Sequence, residues 1–271
     1  MTSHDASTLD GLLDELRALA GEAAEAAGSL LLHERPELLE VSAKSSPTDV
    51  VTQMDRAAEG LISRIILASR PEDAILGEEG GSSTGTSGVR WVIDPLDGTT
   101  NYLYDLPLWS VSIAAEIDGR VAVGIVHAPA LELTFRGVLG RGSHERSPRG
   151  ERALQVSSIT DLAHALVSTG FGYSSEQRRR QAEALVDVAP RVRDVRRMGS
   201  AAIDLCFVAS GRTDAYVESR LHPWDVAAGS LIAREAGAVV LGDDNPVDAP
   251  YVLASAPGIA ADLVTLLPDQ Q

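Results

Sequence analysis

Near the start of the chain, apolar side chains return at helical spacing. Leu9, Leu12, Leu13, Leu16, Leu19, Ala23, Ala24 and Ala27 fall on one stripe, which predicts an amphipathic helix over residues 8–32. A second helix is predicted over 54–69, with Ala58, Leu61, Ile62, Ile65 and Ile66 turned inward and Pro71 just beyond its end. Between the two, residues 42–48 read as a polar, flexible connection holding Lys44 and Pro47. Ala74-Ile75-Leu76 is a short apolar run that ends in Gly77-Glu78-Glu79, and residues 80–88, rich in Gly, Ser and Thr, read as a mobile loop. Residues 89–93 predict a buried strand that delivers Asp94.

Further on the period changes to two. Trp109, Val111, Ile113, Ala115 and Ile117 alternate with smaller or polar residues. Asp118-Gly119 follows, and then Val121, Val123 and Ile125, so the stretch reads as a β-hairpin. Residues 140–152 are polar and rich in Gly and Arg, and are read as the boundary between two halves, 1–145 and 146–271, of one integrated unit. Beyond them, strands predicted at 166–169, 192–195, 215–218, 238–241 and 251–254 are interleaved with helices at 176–188, 200–209, 226–236 and 258–267. Such alternation argues for α/β architecture in the second half, after a first half of α+β character.

Composition narrows the function. The chain has 271 residues, enough for a sizeable core, and 44% hydrophobic content with 23% charged residues is that of a globular protein. It has no long apolar run of membrane-spanning length and no secretory pattern at its start, and its single cysteine, Cys206, cannot form an internal disulfide. A cytoplasmic protein is the expectation, with Cys206 packed in the core. The net charge of −16 argues against nucleic acid or an acidic membrane surface as partner. An anionic substrate remains compatible if clustered carboxylates hold divalent metal ions and so become a cationic site. Lys44 is the only lysine, which draws attention to its position.

The candidate chemistry is concentrated in Asp94-Pro95-Leu96-Asp97-Gly98-Thr99-Thr100. Two carboxylates beside a buried apolar strand suffer desolvation and mutual repulsion unless a cation offsets both. Magnesium takes oxygen ligands and commonly binds through carboxylates plus substrate phosphates. Asp55, Glu78-Glu79 and Asp225 supply further acids beside apolar segments, glycine or proline. Arg178-Arg179-Arg180 reads as a solvated helix face, and His222 either stands behind Asp225 or packs as an ordinary histidine.

At this point the residues resemble a known family. The stretch from Trp91 to Tyr102 resembles the signature of the inositol monophosphatase family, within the magnesium-dependent, lithium-sensitive sugar-phosphatase superfamily. Trp224-Asp225-Val226-Ala227-Ala228-Gly229, Gly77-Glu78-Glu79, the segment from Ser46 to Asp55, and Gly199-Ser200-Ala201-Ala202 match its other motifs in family order. The resemblance implies a layered α/β/α/β/α sandwich and two to three magnesium ions. Glu78, Asp94 and the Leu96 carbonyl would hold the first ion, and Asp94, Asp97 and Asp225 a second. Glu78 and Thr99 would position the attacking water, with Asp55 bonded to the Thr99 hydroxyl. The Gly98 and Thr99 backbone N–H groups would grip phosphate, while Asp97, Ser200, Ala201 and Glu218 would contact the alcohol. Glu79 would support its loop, and Lys44 would lie in a mobile loop near the site. Ser200 stands where the family often has threonine, a change that keeps the hydroxyl.

The implied function is hydrolysis of myo-inositol monophosphate, a small phosphorylated polyol, by a homodimer without nucleic-acid or membrane partners. The same chemistry on fructose 1,6-bisphosphate, histidinol phosphate, NADP or phosphoadenosine phosphate is the alternative. A non-catalytic regulatory role on a phosphatase scaffold is the alternative of another class. It predicts loss of at least one metal acid, and Glu78, Asp94, Asp97 and Asp225 are all present.

Overall fold

The central strands of the main sheet are buried on both faces. In the computed structural model, which describes residues 3–43 and 50–267, Trp91 and Ile93 pack to one side of their strand and Val92 to the other. Lys44 and the segment Ser46-Pro47-Thr48-Asp49 lie outside the described residues.

Helix α1 (Ser3–His33) leads through β1 (Val41–Ala43) and β2 (Val50–Thr52) into α2 (Gln53–Ser69). Strands β3 (Ala74–Gly77), β4 (Ser82–Ser83) and β5 (Val89–Asp97) follow, and then the short helix α3 (Thr99–Leu103). Strands β6 (Ser110–Ile117) and β7 (Arg120–Ala128) form the expected hairpin around Asp118-Gly119; β8 (Leu133–Val138), β9 (Ser143–Ser147) and β10 (Gly150–Ala153) extend it. The second half runs β11 (Leu166–Thr169), α4 (Ser175–Val188), β12 (Asp194–Arg196), α5 (Ala201–Ala209), β13 (Ala215–Glu218), α6 (Pro223–Glu235), β14 (Val239–Leu241), β15 (Val252–Ser255) and α7 (Pro257–Val264).

These strands build an eight-stranded sheet, ordered β10-β9-β8-β7-β6-β5-β3-β4, and a five-stranded sheet, ordered β12-β11-β13-β15-β14. In the second sheet β11 pairs parallel with β12 and β13, whereas β15 runs antiparallel to β13 and β14. Three apolar clusters show the layers. One joins α1 and α2 to a face of the large sheet, through Leu16, Leu31, Ile62, Ile66, Trp91 and Ile113. The second lies between the sheets, where α5 and α6 meet Val92, Phe135, Tyr216 and Val252. The third covers the outer face of the small sheet, joining Val188 and Ile259 to Val167 and Leu253. The order is therefore α/β/α/β/α, as the resemblance implied.

Two sequence expectations change. Residues 140–152, read as the boundary between the halves, lie within the large sheet. Strands β9 and β10 pair antiparallel within the large sheet, so the change of sheet falls between Ala153 and Leu166. The polar composition belongs to a sheet edge. The residues of β10 are exposed, and the inward-facing Glu145 of β9 is held by Arg152 and Arg212. Within 80–88, Ser82 and Ser83 pair with β3, and the turn before them is tied down from α2.

Candidate active site

In a regular strand, residues three apart point to opposite faces. Asp94 and Asp97 escape this rule because β5 is bulged between them: Asp94 lies opposite Ser112 and Asp97 opposite Ser110. Three steps on β5 match two on β6, so both acids return to the face that meets α5 and α6. Pro95 sits in the bulge, where its missing N–H costs no ladder bond. The Leu96 N–H instead donates to Asp94 Oδ1 at 3.0 Å.

Asp97 meets the start of α5. Its Oδ2 accepts from Ser200 Oγ at 2.6 Å and from the Ala202 N–H at 2.8 Å, while Ser200 also caps the helix toward Ile203. Burial pushes the Asp97 carboxyl up to about 6, against the opposing effect of these hydrogen bonds. Asp94, buried more deeply, is held well above the usual carboxylate range by burial and then by Glu78, Asp97 and Asp225. Asp225, in the first turn of α6, is raised by burial and then by Glu78, although the His222 N–H donates to its Oδ2 at 2.6 Å. The His222 ring stacks on Trp224 with centroids 4.8 Å apart, so His222 supports Asp225 through its backbone.

Gly98 turns the chain out of β5 with φ +94, and a side chain there would come 2.9 Å from the Leu108 carbonyl. Thr99 follows. Its hydroxyl lies 3.0 Å from both Asp55 Oδ1 and the Leu96 carbonyl, so it donates to either. Asp55 is fixed by the start of α2, where its Oδ2 accepts from the Thr52 N–H at 2.8 Å and the Thr52 hydroxyl at 2.6 Å. Burial raises Asp55 above the usual carboxylate range despite these bonds.

Across the cleft Glu218 ends β13. Tyr216 donates to its Oε2 at 2.8 Å, and burial pushes the carboxyl up to about 7. A cavity of about 360 Å³ separates the two sides, lined by Glu78, Asp97, Thr99, Ser200, Glu218 and Asp225 among others. Among the described residues, no three acidic, histidine or cysteine side chains converge closely enough to form a ready-made ion cage. The site offers an all-oxygen donor set from β5, α6 and the turn after β3. Its mutual repulsion and desolvation are what a hard cation offsets, which fits magnesium.

Glu59 was not singled out from the sequence, although it organises this site. It is 5% exposed, and its two oxygens accept from the Glu79 and Gly81 N–H groups at 2.8 Å each. The turn carrying Glu78 and Glu79 is thereby clamped to α2, and any side chain at Gly77 would collide with the Glu59 carboxylate. The signal was present: Glu59 lies one turn after Asp55 on a face otherwise occupied by Ala58, Ile62 and Ile66. Asn101 was also missed. Its Nδ2 donates to the Leu108 carbonyl at 2.6 Å and the Met198 carbonyl at 2.8 Å, tying the Thr99 turn to the approach to Ser200. Arg179 and Arg180 pair with Glu183 and Glu176 on their own helix, as a solvated face should, and Cys206 is fully buried.

Known proteins resemble this chain over nearly its whole length. Residues 12–268 match the model of the inositol monophosphatase family. An inositol-1-monophosphatase SuhB from Mycobacterium tuberculosis is 43% identical over 269 residues, covering 93% of each chain. The Nus factor SuhB of Escherichia coli is 38% identical, covering 93% of this chain and 95% of its own. A solved structure of Mycobacterium tuberculosis SuhB superposes with a TM-score of 0.81 at 41% identity, covering 93% of this chain and 95% of that one.

Proposed function

The chain belongs to the inositol monophosphatase family, and we propose that it is a magnesium-dependent phosphomonoesterase whose preferred substrate is myo-inositol monophosphate. Family membership carries the phosphatase reading. The observation that supports the chemistry is the bulged end of β5, which turns Asp94 and Asp97 together toward the cleft that Glu78, Asp225 and Glu218 share.

The side chains of Glu78, Asp94, Asp97 and Asp225, with the Leu96 carbonyl, would hold the metal ions. Bound magnesium would neutralise phosphate charge, make a water acidic enough to attack, and stabilise the leaving alkoxide. The protein's own part is to place the reactants. The Thr99 hydroxyl gives its hydrogen to Asp55 or the Leu96 carbonyl, so its lone pairs are free to accept from a water. Glu78 would help to orient that water. The N–H groups of Gly98 and Thr99 would receive phosphate oxygens, and Ser200, Ala201 and Glu218 would meet the alcohol. Water is the attacking group in this reading: Cys206 is buried, and burial holds its thiol well above its ordinary range.

The test is phosphate release by the purified protein with magnesium. The panel is inositol 1-phosphate, fructose 1,6-bisphosphate, histidinol phosphate, NADP and phosphoadenosine phosphate, with Asp94→Asn as the blank. The highest kcat/KM is expected on inositol 1-phosphate, and preference for another ester would discard the substrate while keeping the chemistry. The Escherichia coli relative's name, a Nus factor, supports a second reading, a regulatory role on the same scaffold. Absence of turnover on every ester would favour it.

A further inference from the structure

Glu218 stands where two parallel strands leave the small sheet. The last rung between β11 and β13 joins Thr169 to Val217, and the Thr169 hydroxyl donates to the Val217 carbonyl at 2.8 Å. Beyond that rung the ladder ends, and residues 170–173 on one side and Glu218 and Arg220 on the other line the cavity. The Gln181 side chain, on α4, takes over the connection. Its Oε1 accepts from the Gly172 N–H at 2.7 Å, and its Nε2 donates to the Ser219 carbonyl at 3.1 Å, with the Ser219 hydroxyl at 3.3 Å. A primary amide offers the donor and the acceptor that a further rung of backbone would have offered. The Glu218 carboxyl lies between the two tied stretches. Tyr216 donates to its Oε2, and a β-carbon at Gly170 would overlap that same oxygen. Any shift of residues 170–173 against Ser219 therefore changes the space that the carboxyl occupies. Gln181 stands behind this wall, in the neighbouring groove.

We propose that Gln181 is a positioning residue for the alcohol subsite: by bridging Gly172 to Ser219 it fixes the Glu218 carboxyl where a hydroxyl of a polyol phosphate meets it. The proposal rests on the phosphatase reading above and on the place of Glu218 in it. It gives the largely polar α4 a part in substrate choice. Selectivity for esters of hydroxyl-bearing alcohols then depends on a side chain behind the cavity wall. Esters whose alcohol carries no further hydroxyl make no use of Glu218, so the bridge leaves them unaffected. The acids proposed to hold metal stand on β5, on α6 and in the turn after β3, and the bridge bonds none of them. Its loss belongs in KM for a polyol ester rather than in kcat.

The experiment compares the full-length protein with Gln181→Met, which keeps the length of the side chain without its amide, with Glu218→Ala, and with the double variant. Each is assayed in magnesium on inositol 1-phosphate and on p-nitrophenyl phosphate, whose leaving group carries no further hydroxyl. For Gln181→Met, KM for inositol 1-phosphate should rise about three- to tenfold, as for one weakened hydrogen bond to substrate. Its kcat on that ester, and both constants on p-nitrophenyl phosphate, should stay within about twofold of wild type. In the Glu218→Ala background the same substitution should raise KM no further, because the group it positions is gone. Equal loss on both esters, an unchanged KM for inositol 1-phosphate, or two effects that multiply in the double variant would each overturn the proposal. If Gln181→Met does not fold, Gln181→Glu, which keeps the acceptor for Gly172 and loses the donor to Ser219, is read on the same pair of esters. An unchanged KM in Glu218→Ala would remove Glu218 from the alcohol subsite, and this proposal with it. Inactivity of the wild type on both esters would instead remove the phosphatase reading itself.

Discussion

Glu218 shows how one buried carboxyl couples chemistry to stability. Its folded value of about 7 lies above the ordinary 4.5. A group raised on folding stabilises fully below its unfolded value, and that contribution is lost as pH rises through the folded value. Glu218→Gln removes the titration. Between about pH 5 and about pH 8, the melting temperature of the metal-free wild type should therefore fall relative to that of Glu218→Gln; thermal melts across that range check the sign. Glu59 acts differently, because it accepts two backbone N–H groups and touches neither cavity nor substrate in the proposed scheme. Glu59→Ala should cost about 2–4 kcal/mol in urea unfolding, from two lost charge-assisted bonds. It should also raise the magnesium concentration needed for half-maximal activity, since the Glu78 turn loses its anchor. An unchanged magnesium dependence would confine Glu59 to stability.

At the level of elements, the contact of β7 with α6 sets where Asp225 stands. A β-carbon at Gly124 would lie 2.7 Å from the Ala228 carbonyl oxygen and 3.0 Å from its Cα, so strand and helix approach backbone to backbone. Gly124→Ala must push α6 outward, and it should destabilise the protein by about 1–3 kcal/mol, as overpacking does. Because Asp225 lies one turn before Ala228, magnesium binding measured by calorimetry should weaken together with stability. Elements with strong periodicity were legible in the sequence: α2, β6 and β11 lie within a residue or so of their expected bounds, and β7 runs three residues past Ile125. The strands β8, β9 and β10 were not. Their inward residues include Glu145 and Ser143 as well as Phe135, so no apolar alternation marks them, and only pairing against β7 makes them strands.

At the scale of the whole molecule, the proposed ligands come from different layers: Asp94 and Asp97 from the large sheet, Asp225 from the helices between the sheets. A bound ion would therefore brace sheet against helix, and only the folded chain offers that ligand set. Magnesium should raise the melting temperature in a concentration-dependent way, adding about 2.7 kcal/mol of stability at a hundredfold excess over its Kd. Asp94→Asn should remove that response together with turnover. Metal-free Asp94→Asn should melt no lower than wild type, because the substitution also removes a buried like-charge repulsion. A magnesium shift that survives in this variant would count against Asp94 as a ligand.

The sequence by itself determined the kinds of element, the order of the motifs and the acids around Asp94, because period, proline, glycine and charge are local properties. It also carried the family resemblance, and with it the layered sandwich. Tertiary structure alone decided three things. The bulge opposite Ser110 and Ser112 turns Asp97 to the face of Asp94, since facing depends on register with a partner strand. Glu59 was assigned its two backbone N–H groups by a turn some twenty residues away in the chain. Asp204 was buried beside the cavity, where among the described residues its Oδ1 has no hydrogen-bond partner, which follows from how α5 packs between two sheets and leaves no mark in spacing.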